Sequence, residues 1–158
     1  YSVPDPQYDI IAARMLELGD WYLLFDRRAG ALEIYEDALQ VLAAAPVSDE
    51  EKTRIYSSGL PVKTPESDYL GQITQQNNTA PFIDVEFELS KFGLASHTRI
   101  LNSTEQNADI ERVLLRNIHN SRFRPKFVDV DAVNGELMKL RYYYSLDATP
   151  ALALTASD

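Results

Sequence analysis

The spacing of apolar residues changes along the chain, and this change limits which elements the sequence can form. Over residues 8–45 the apolar residues recur at steps of three and four, which is the period of an α-helix. Over "FIDVEFEL" (82–89) they alternate with charged residues, which is the period of a strand with one buried face. The sequence therefore predicts an α+β fold, with a helical first part and a small sheet in the second part.

The helical part is predicted to be two helices that fold back on each other, followed by a short third helix. The apolar face that indicates the first helix consists of Ile10, Ile11, Met15, Leu18, Tyr22 and Phe25. The matching face of the second helix consists of Leu32, Tyr35, Leu39 and Leu42. "DRRAG" (26–30) supplies the turn, and Pro46 ends the second helix because proline cannot continue one. "SDEE" (48–51) has the form of a capping box, which predicts a third helix over about residues 49–57.

The second part is predicted to contain two strands, a helix and a final strand. A turn at "SKFG" (90–93) joins the first strand to a second one over about residues 94–102. The apolar stripe of the helix consists of Ile110, Val113, Leu114 and Ile118. The helix ends at "FRP" (123–125), and after a loop with Gly135 the segment "LMKLRYYYSL" (137–146) has the pattern of a third strand.

The chain is predicted to divide into four segments. Residues 1–58 form the helical region, 59–80 a linker or extended arm, 81–146 the α/β unit and 147–158 a tail. The arm is predicted because glycines, prolines and the run "TQQNNT" interrupt any regular period there. Tyr1 is not a methionine, so we expect the chain to be a piece of a longer protein.

Charge and composition exclude several classes of function. The formal net charge of −9 disfavours binding to nucleic acid or to an anionic membrane, since both require a basic surface. The chain has no cysteine, which excludes disulfides and thiol chemistry. No stretch of sequence approaches the roughly 20 apolar residues that a membrane-spanning helix needs.

The sequence offers little that could bind a metal or catalyse a reaction. His97 and His119 are far apart and lie on different predicted elements, so we interpret them as a strand residue and a helix-end residue. Asp84, Glu86 and Glu88 resemble a metal cluster, but alternation on a solvated strand face explains them more simply. We therefore expect no metal, no cofactor and no enzyme activity.

The segment "SRFRPK" (121–126) is basic and contains an aromatic residue, a combination found in nucleic-acid-binding proteins. That function disagrees with the net charge of the chain. We interpret Arg122, Arg124 and Lys126 instead as residues that interact favourably with the C-terminal end of the preceding helix.

Residues from about 12 to 46 resemble a tetratricopeptide repeat. The motif positions present at the spacing of that family are Leu18-Gly19, Tyr22, Ala31, Tyr35 and Ala38. The resemblance implies an antiparallel helical hairpin in which Gly19, Ala31 and Ala38 let the two helices approach closely, and further repeats before Tyr1. It also implies that Ala13, Leu16, Asp20 and Leu23 could face a partner. That surface has no cluster of basic or amide residues to bind a peptide terminus, so the alternative is that it serves only for packing. The alternative is a generic pair of antiparallel helices.

Residues from about 81 to 146 resemble the C-terminal domain of the TonB energy-transducer family. The matching series is "VEFELSKFG", "ILNS", "RNIHNSRFRP", Gly135 and "LRYYYS", in that order. The resemblance implies a two-layer β-β-α-β sandwich with a three-stranded sheet, in which the first strand is central. With that order we expect cross-strand pairs in which Glu88 lies near His97 and Glu86 lies near Arg99.

The same resemblance implies a binding role for the last strand. As an edge strand it has unpaired backbone groups that accept an extended peptide, which in the family comes from an outer-membrane transporter. The partner-binding residues implied in this way are Met138, Lys139, Leu140, Arg141, Tyr142, Tyr143, Tyr144 and Ser145. This hypothesis describes a non-enzymatic, periplasmic protein–protein interaction protein.

The sequence leaves three alternatives to this hypothesis open. The chain can cover the edge itself, through residues 60–70 or 146–154. The edge can pair with a second copy, which would make the chain a self-associating scaffold of the bacterial envelope with no role in transport. A third alternative is an enzyme whose site is shared between the two parts, which convergent polar side chains in a cleft would favour.

Overall fold

The structure is a computed structural model that describes residues 7–63 and 81–144. Within these ranges the elements are, in chain order, α1 (Tyr8–Leu24), α2 (Arg28–Ala44), α3 (Asp49–Ile55), β1 (Pro61–Lys63), β2 (Phe82–Leu89), β3 (Ala95–Ser103), α4 (Ala108–Asn120), β4 (Arg122–Phe123), β5 (Lys126–Val128), β6 (Asp131–Val133) and β7 (Glu136–Tyr143). The predicted combination of a helical first part with a small sheet is confirmed. The short strands β4, β5 and β6 lie where the sequence predicts only a helix end and a loop. None of the described helices is both long enough and apolar enough to cross a membrane.

Helices α1 and α2 fold back on each other and approach closely. Gly19 on α1 faces Tyr35 on α2, and a Cβ atom at Gly19 would lie 2.6 Å from the tyrosine ring. Ala31 and Ala38 are also buried in this contact. Small side chains therefore allow the two helices to pack at short range.

The buried face of α1 differs from the predicted one. The residues that are buried are Ala12, Leu16, Gly19 and Leu23. Large residues of the predicted apolar face are 46–60% exposed, namely Ile10, Ile11, Leu18 and Phe25. The reason is that α1 has apolar residues on both sides, and the side with small residues lets α2 come closer. A helical period reveals both sides equally and does not say which one packs.

The second and third helices follow the predictions more closely. Tyr35 and Leu42, both on the predicted face of α2, are buried. Helix α3 begins after Ser48, whose Oγ accepts a hydrogen bond from the N–H of Glu51 at 3.2 Å. The Glu51 carboxylate binds Arg54 at 2.6 Å, so one half of the predicted capping box is formed.

Strand β2 is the centre of a three-stranded antiparallel sheet, with β3 on one side and β7 on the other. The predicted central position of the first long strand is confirmed. Helix α4 packs on one face of the sheet, and the core there is formed by Ile83, Val85, Phe87, Leu89, Leu114 and Ile118.

The helical part and the sheet are packed together through the segment that follows α4. β1 pairs with β4 in antiparallel orientation, so residues 61–63 lie against the second part. The N–H of Arg124 donates to the carbonyl of Leu60 at 2.9 Å, and the N–H of Gly59 donates to the carbonyl of Arg124 at 2.8 Å. The predicted extended arm therefore begins as a strand that joins the two parts.

Candidate binding edge

The face of the sheet away from α4 carries acidic side chains on the central strand. Glu86 accepts a hydrogen bond from Nε of Arg99 on β3 at 2.6 Å. Glu88 lies 3.2 Å from Nδ1 of His97, also on β3. These are the two predicted cross-strand pairs, and both are confirmed.

Basic side chains of β7 approach the same acidic strand from its other side. Arg141 donates two hydrogen bonds to the carboxylate of Asp84, at 2.7 and 2.9 Å. Nζ of Lys139 lies 3.4 Å from the second oxygen of Glu86. Asp84 is therefore paired with a cation of β7, and Glu86 is paired with one cation from each neighbouring strand.

Glu86 is buried, with 6% of its surface exposed, although the sequence predicts a solvated face. That prediction is wrong at this residue because Glu86 lies between Arg99 and Lys139, which contact it from either side. The hydrogen bond from Arg99 and the nearby Lys139 hold the pKa of Glu86 below its ordinary value, although burial opposes the shift. Within the described ranges, no three His, Asp or Glu side chains are grouped to hold a metal ion.

The outer side of β7 has no strand beside it among the described residues. The N–H of Tyr144 donates to the carbonyl of Pro81 at 3.1 Å, so this pair is hydrogen-bonded. Hydrogen-bonded pairs alternate along an antiparallel ladder. The residues of β7 whose N–H and C=O groups point away from β2 are therefore Leu137, Lys139, Arg141 and Tyr143.

The opposite edge of the sheet, formed by β3, is less regular. The register between β2 and β3 shifts twice, and His97 on β3 has a positive φ of 50°. The register between β2 and β7 runs unbroken from Phe82 opposite Tyr143 to Leu89 opposite Glu136. Since bulges disrupt the pairing of an edge strand, β7 is the better template for an added strand.

The side chains of β7 differ between its two faces. On the face away from α4, the Arg141 guanidinium lies 3.8 Å from the centre of the Phe82 ring, and the Tyr143 ring meets Phe82 edge-on at 6.3 Å. The residues that lie partly buried on the core face are Met138, Leu140 and Tyr142. Burial raises the pKa of Tyr142 to about 12, so its phenol stays neutral.

The predicted partner-binding residues fall into three groups. Residues 138–143 lie on β7, as expected. Tyr144 is fully buried, so its side chain belongs to the core and is not available to a guest. Ser145 lies outside the described residues. The sequence analysis omitted Leu137, which is 55% exposed and has outward backbone groups. Leu137 lies two residues before Lys139, so extending the period of two by one step towards the start of the strand could have identified it.

The possibility that the chain covers its own edge is tested only for the start of the arm. Residues 61–63 pair with β4 and not with β7. Ser58 and Gly59 do contact the beginning of β7, because Ser58 Oγ donates to Glu136 at 2.8 Å and Gly59 lies against Met138. Residues 64–70 and 146–154 lie outside the described residues.

The inner side of α1 is occupied by the chain itself. Leu16 and Leu23 are buried in a cluster that includes Phe127 of β5. Asp20 accepts hydrogen bonds from Nε and Nη2 of Arg124 at 2.8 and 2.6 Å. Leu16, Asp20 and Leu23 therefore serve for packing, the alternative that the sequence left open, because the segment after α4 lies against them, whereas Ala13 is partly exposed.

The interpretation of "SRFRPK" as helix-end residues is right in part. Nη1 of Arg122 donates to the carbonyls of Asn120 and Ser121, at the end of α4. Arg124 behaves differently, since it is 8% exposed and turns to α1. The sequence signal that could have indicated this is Asp20, a carboxylate beside the small residues of α1 that requires a cationic partner when buried.

Polar side chains converge where the two parts meet. The O–H of Tyr35 donates to Asp20 at 2.7 Å, and the O–H of Tyr56 donates to the carbonyl of Pro125. Burial raises the pKa of both tyrosines, so both phenols remain protonated. The groups of this cluster bind one another and Arg124, an arrangement that joins the two parts rather than one that favours a shared enzyme site.

Comparisons with known proteins assign no family to the chain. No family model, curated protein or solved structure matches it significantly.

Proposed function

We propose that this chain is a non-enzymatic protein–protein interaction protein whose β7 edge captures an extended peptide by strand addition. One observation carries the proposal. The backbone groups of Leu137, Lys139, Arg141 and Tyr143 point away from β2, and among the described residues no strand pairs with them. An added strand would supply partners for these donors and acceptors.

The regularity of the strand supports this proposal. An unbroken register from Glu136 to Tyr143 presents the outward groups of β7 at even intervals, as a guest strand requires. The partly buried side chains Met138, Leu140 and Tyr142 border the core, so apolar residues at alternate positions of the guest would extend it. Backbone pairing would supply affinity, and these side chains would supply selectivity.

In this proposal the helical part braces the binding edge. Its inner face contacts the segment after α4 through the pair of Asp20 and Arg124. The end of the helical part reaches β7 directly, because Ser58 binds Glu136 and Gly59 lies against Met138. The helices would thereby hold in place the strand with which a guest pairs.

The source of the guest and the location of the protein follow from resemblance alone. A TonB-like C-terminal domain implies a periplasmic protein and an extended segment of an outer-membrane transporter as the guest. The central position of β2, expected from that resemblance, supports the proposal. The helical part extends it to a tetratricopeptide-type unit joined to a TonB-like domain.

Amide hydrogen exchange tests the edge directly, because β7 contains its own control. We expect fast exchange at Lys139 and Arg141, whose N–H groups point outward, and slow exchange at Met138 and Leu140, whose N–H groups bind β2. The alternation should be the same at low and high protein concentration. Protection of Lys139 and Arg141 at every concentration would mean that the chain covers its own edge and would refute the proposal.

Protection of the outward amides that rises with protein concentration would favour a different function. It would indicate pairing of two β7 strands and hence the self-associating scaffold. Sedimentation measured in parallel would then show a dimer, and Lys139→Pro would abolish it. The matched control is Lys139→Val, which removes the same charge but keeps the outward N–H.

A peptide taken from the N-terminal extended segment of an outer-membrane transporter tests the guest. We expect it to slow exchange of the amides at positions 139 and 141 in the wild type and in Lys139→Val. Lys139→Pro should prevent this protection, because the variant lacks one of the donors that the guest uses.

A further inference from the structure

The two cations on the outward side of β7 differ in how firmly the sheet holds them. Arg141 makes two hydrogen bonds to Asp84, at 2.7 and 2.9 Å. Its guanidinium also lies 3.8 Å from the centre of the Phe82 ring. A bidentate pair of this kind is strong and geometrically fixed. Arg141 is therefore committed to the sheet and is not free to bind a guest.

Lys139 is held much more loosely. Its Nζ lies 3.4 Å from Oε2 of Glu86, and its side chain is 64% exposed. Oε1 of the same carboxylate already accepts a hydrogen bond from Arg99 at 2.6 Å. Glu86 would keep one cationic partner if Lys139 turned away. The ammonium group is thus available at little cost to the sheet.

The position of Lys139 on β7 determines which residue of a guest strand its side chain would contact. Its N–H and C=O groups point outward, and its side chain lies on the face away from α4. In an antiparallel pair the directly opposite residue lies on the same face, with Cβ atoms about 4.5–5.5 Å apart. A carboxylate at that guest position would lie within reach of Nζ.

We propose that Lys139 selects guest strands with an acidic residue at the position opposite it, an inference that rests on the proposed strand addition at β7. The expected guest is therefore an extended acidic peptide whose apolar residues lie on the face of the sheet that packs against α4. A lysine at the same guest position would instead meet two cations, Lys139 and Arg141.

The net charge of −9 acts against this preference at long range. At about 0.15 M salt, charges more than about 8 Å apart are largely screened, so the contact at Lys139 should dominate. Measurement at that ionic strength isolates the local pair. An exposed pair of this kind changes affinity by roughly two- to fivefold.

Three synthetic peptides of seven residues serve as probes, each alternating valine with glutamate, with serine or with lysine. Binding is measured by calorimetry, and exchange at Arg141 shows whether the peptide is on β7. We expect the glutamate peptide to bind roughly two- to fivefold more tightly than the serine peptide, and the lysine peptide to bind most weakly. Lys139→Ala should make the glutamate and serine peptides equal.

Lys91→Ala is the matched control, because Lys91 lies over the Phe92 ring in the turn after β2 and not on β7. It should keep the preference for glutamate, while slow exchange at Met138 and Leu140 verifies the sheet in both variants. Equal affinities in the wild type, or a preference that survives in Lys139→Ala, would overturn this inference and leave strand addition intact. If no peptide slows exchange at Arg141, strand addition itself is wrong.

Discussion

Arg124 and Asp20 form an ion pair with two hydrogen bonds, of 2.8 and 2.6 Å, across the boundary between the helical part and the sheet. The two residues are 104 positions apart in the sequence. The pair brings the segment after α4 onto the inner side of α1, where the sequence predicts a surface for a partner. The helical part is therefore fastened to the sheet and does not offer that side to another protein.

Asp20→Asn should destabilise the protein. The change would leave the Arg124 guanidinium, which is 8% exposed, without its charged partner. Loss of one member of a buried pair costs about 3–5 kcal/mol, and partial exposure of Asp20 places the expected loss near the lower value. Urea unfolding measures the change in free energy. The control is Asp26→Asn, because Asp26 is half exposed in its pair with Arg122 and the pair should contribute less than about 1 kcal/mol. Equal losses in both variants would contradict the assigned role of Arg124.

Gly93→Ala should be much more damaging than Gly135→Ala. Both glycines have positive φ, of 72° and 82°, which costs a residue with a Cβ about 1–2 kcal/mol. A Cβ at Gly93 would also overlap the backbone carbonyl of Phe123, whereas nothing lies within 4 Å at Gly135. The difference in unfolding free energy between the two variants should exceed about 1 kcal/mol. Similar values would mean that the turn after β2 does not contact β4 as closely as described.

Gly19→Ala tests which side of α1 is buried. Alanine favours a helix by about 1 kcal/mol over glycine, but its Cβ would lie 2.6 Å from the Tyr35 ring. We expect a net destabilisation of about 1–2 kcal/mol, because overpacking outweighs the helix preference. Leu18→Ala, on the predicted but exposed face, should change stability by less than about 1 kcal/mol. Thermal or urea unfolding of both variants provides the test. A larger loss of stability in Leu18→Ala would mean that the face with Leu18 is buried and the face with Gly19 is not.

Acid should weaken the sheet through Glu86. Its folded-state pKa is lowered, so ionised Glu86 contributes stability that is fully present above the ordinary value of 4.5 and is lost as the pH falls through the lower folded value. We expect the unfolding free energy of the wild type to fall more steeply below pH 4.5 than that of Glu86→Gln. Arg99→Met should also reduce this slope, since Arg99 is the main cause of the shift. Urea unfolding between pH 6 and pH 3 measures it, and a slope unchanged in both variants would contradict the role of the pair.

The elements of this fold could be predicted from the sequence because local pattern determines them. The alternation in "FIDVEFEL" indicates a strand, and its acidic face explains why β2 lies between strands that carry Arg99 and Arg141. The period of α1 alone does not say which side packs, because both of its apolar sides share it. The resemblance to a tetratricopeptide repeat indicates the packed side through Gly19, and Tyr35 lies against Gly19 in the structure.

The long-range contacts could not be predicted from the sequence pattern for a different reason. Nothing local to Arg124 distinguishes it from Arg122, which caps α4, since the distinction depends on Asp20 far along the chain. The same applies to β4 and β5, because strands this short are formed by their partners and not by their own alternation. Strand β7 could be predicted from the sequence, but which of its residues point outward depends on the hydrogen-bonded pair of Pro81 and Tyr144.

Trp21 provides a direct test of the outer face of α1, because it is the single tryptophan of the chain. It is 61% exposed and its ring lies 5.1 Å from that of Phe25, itself 60% exposed. We expect the folded protein to emit like a tryptophan in water and to be quenched readily by iodide. The matched control is the double variant Trp21→Phe with Phe123→Trp. Its tryptophan occupies a buried position and should resist quenching. Protection of Trp21 that grows with protein concentration would instead show that two copies associate through α1, because a large exposed apolar face of this kind marks an interaction surface.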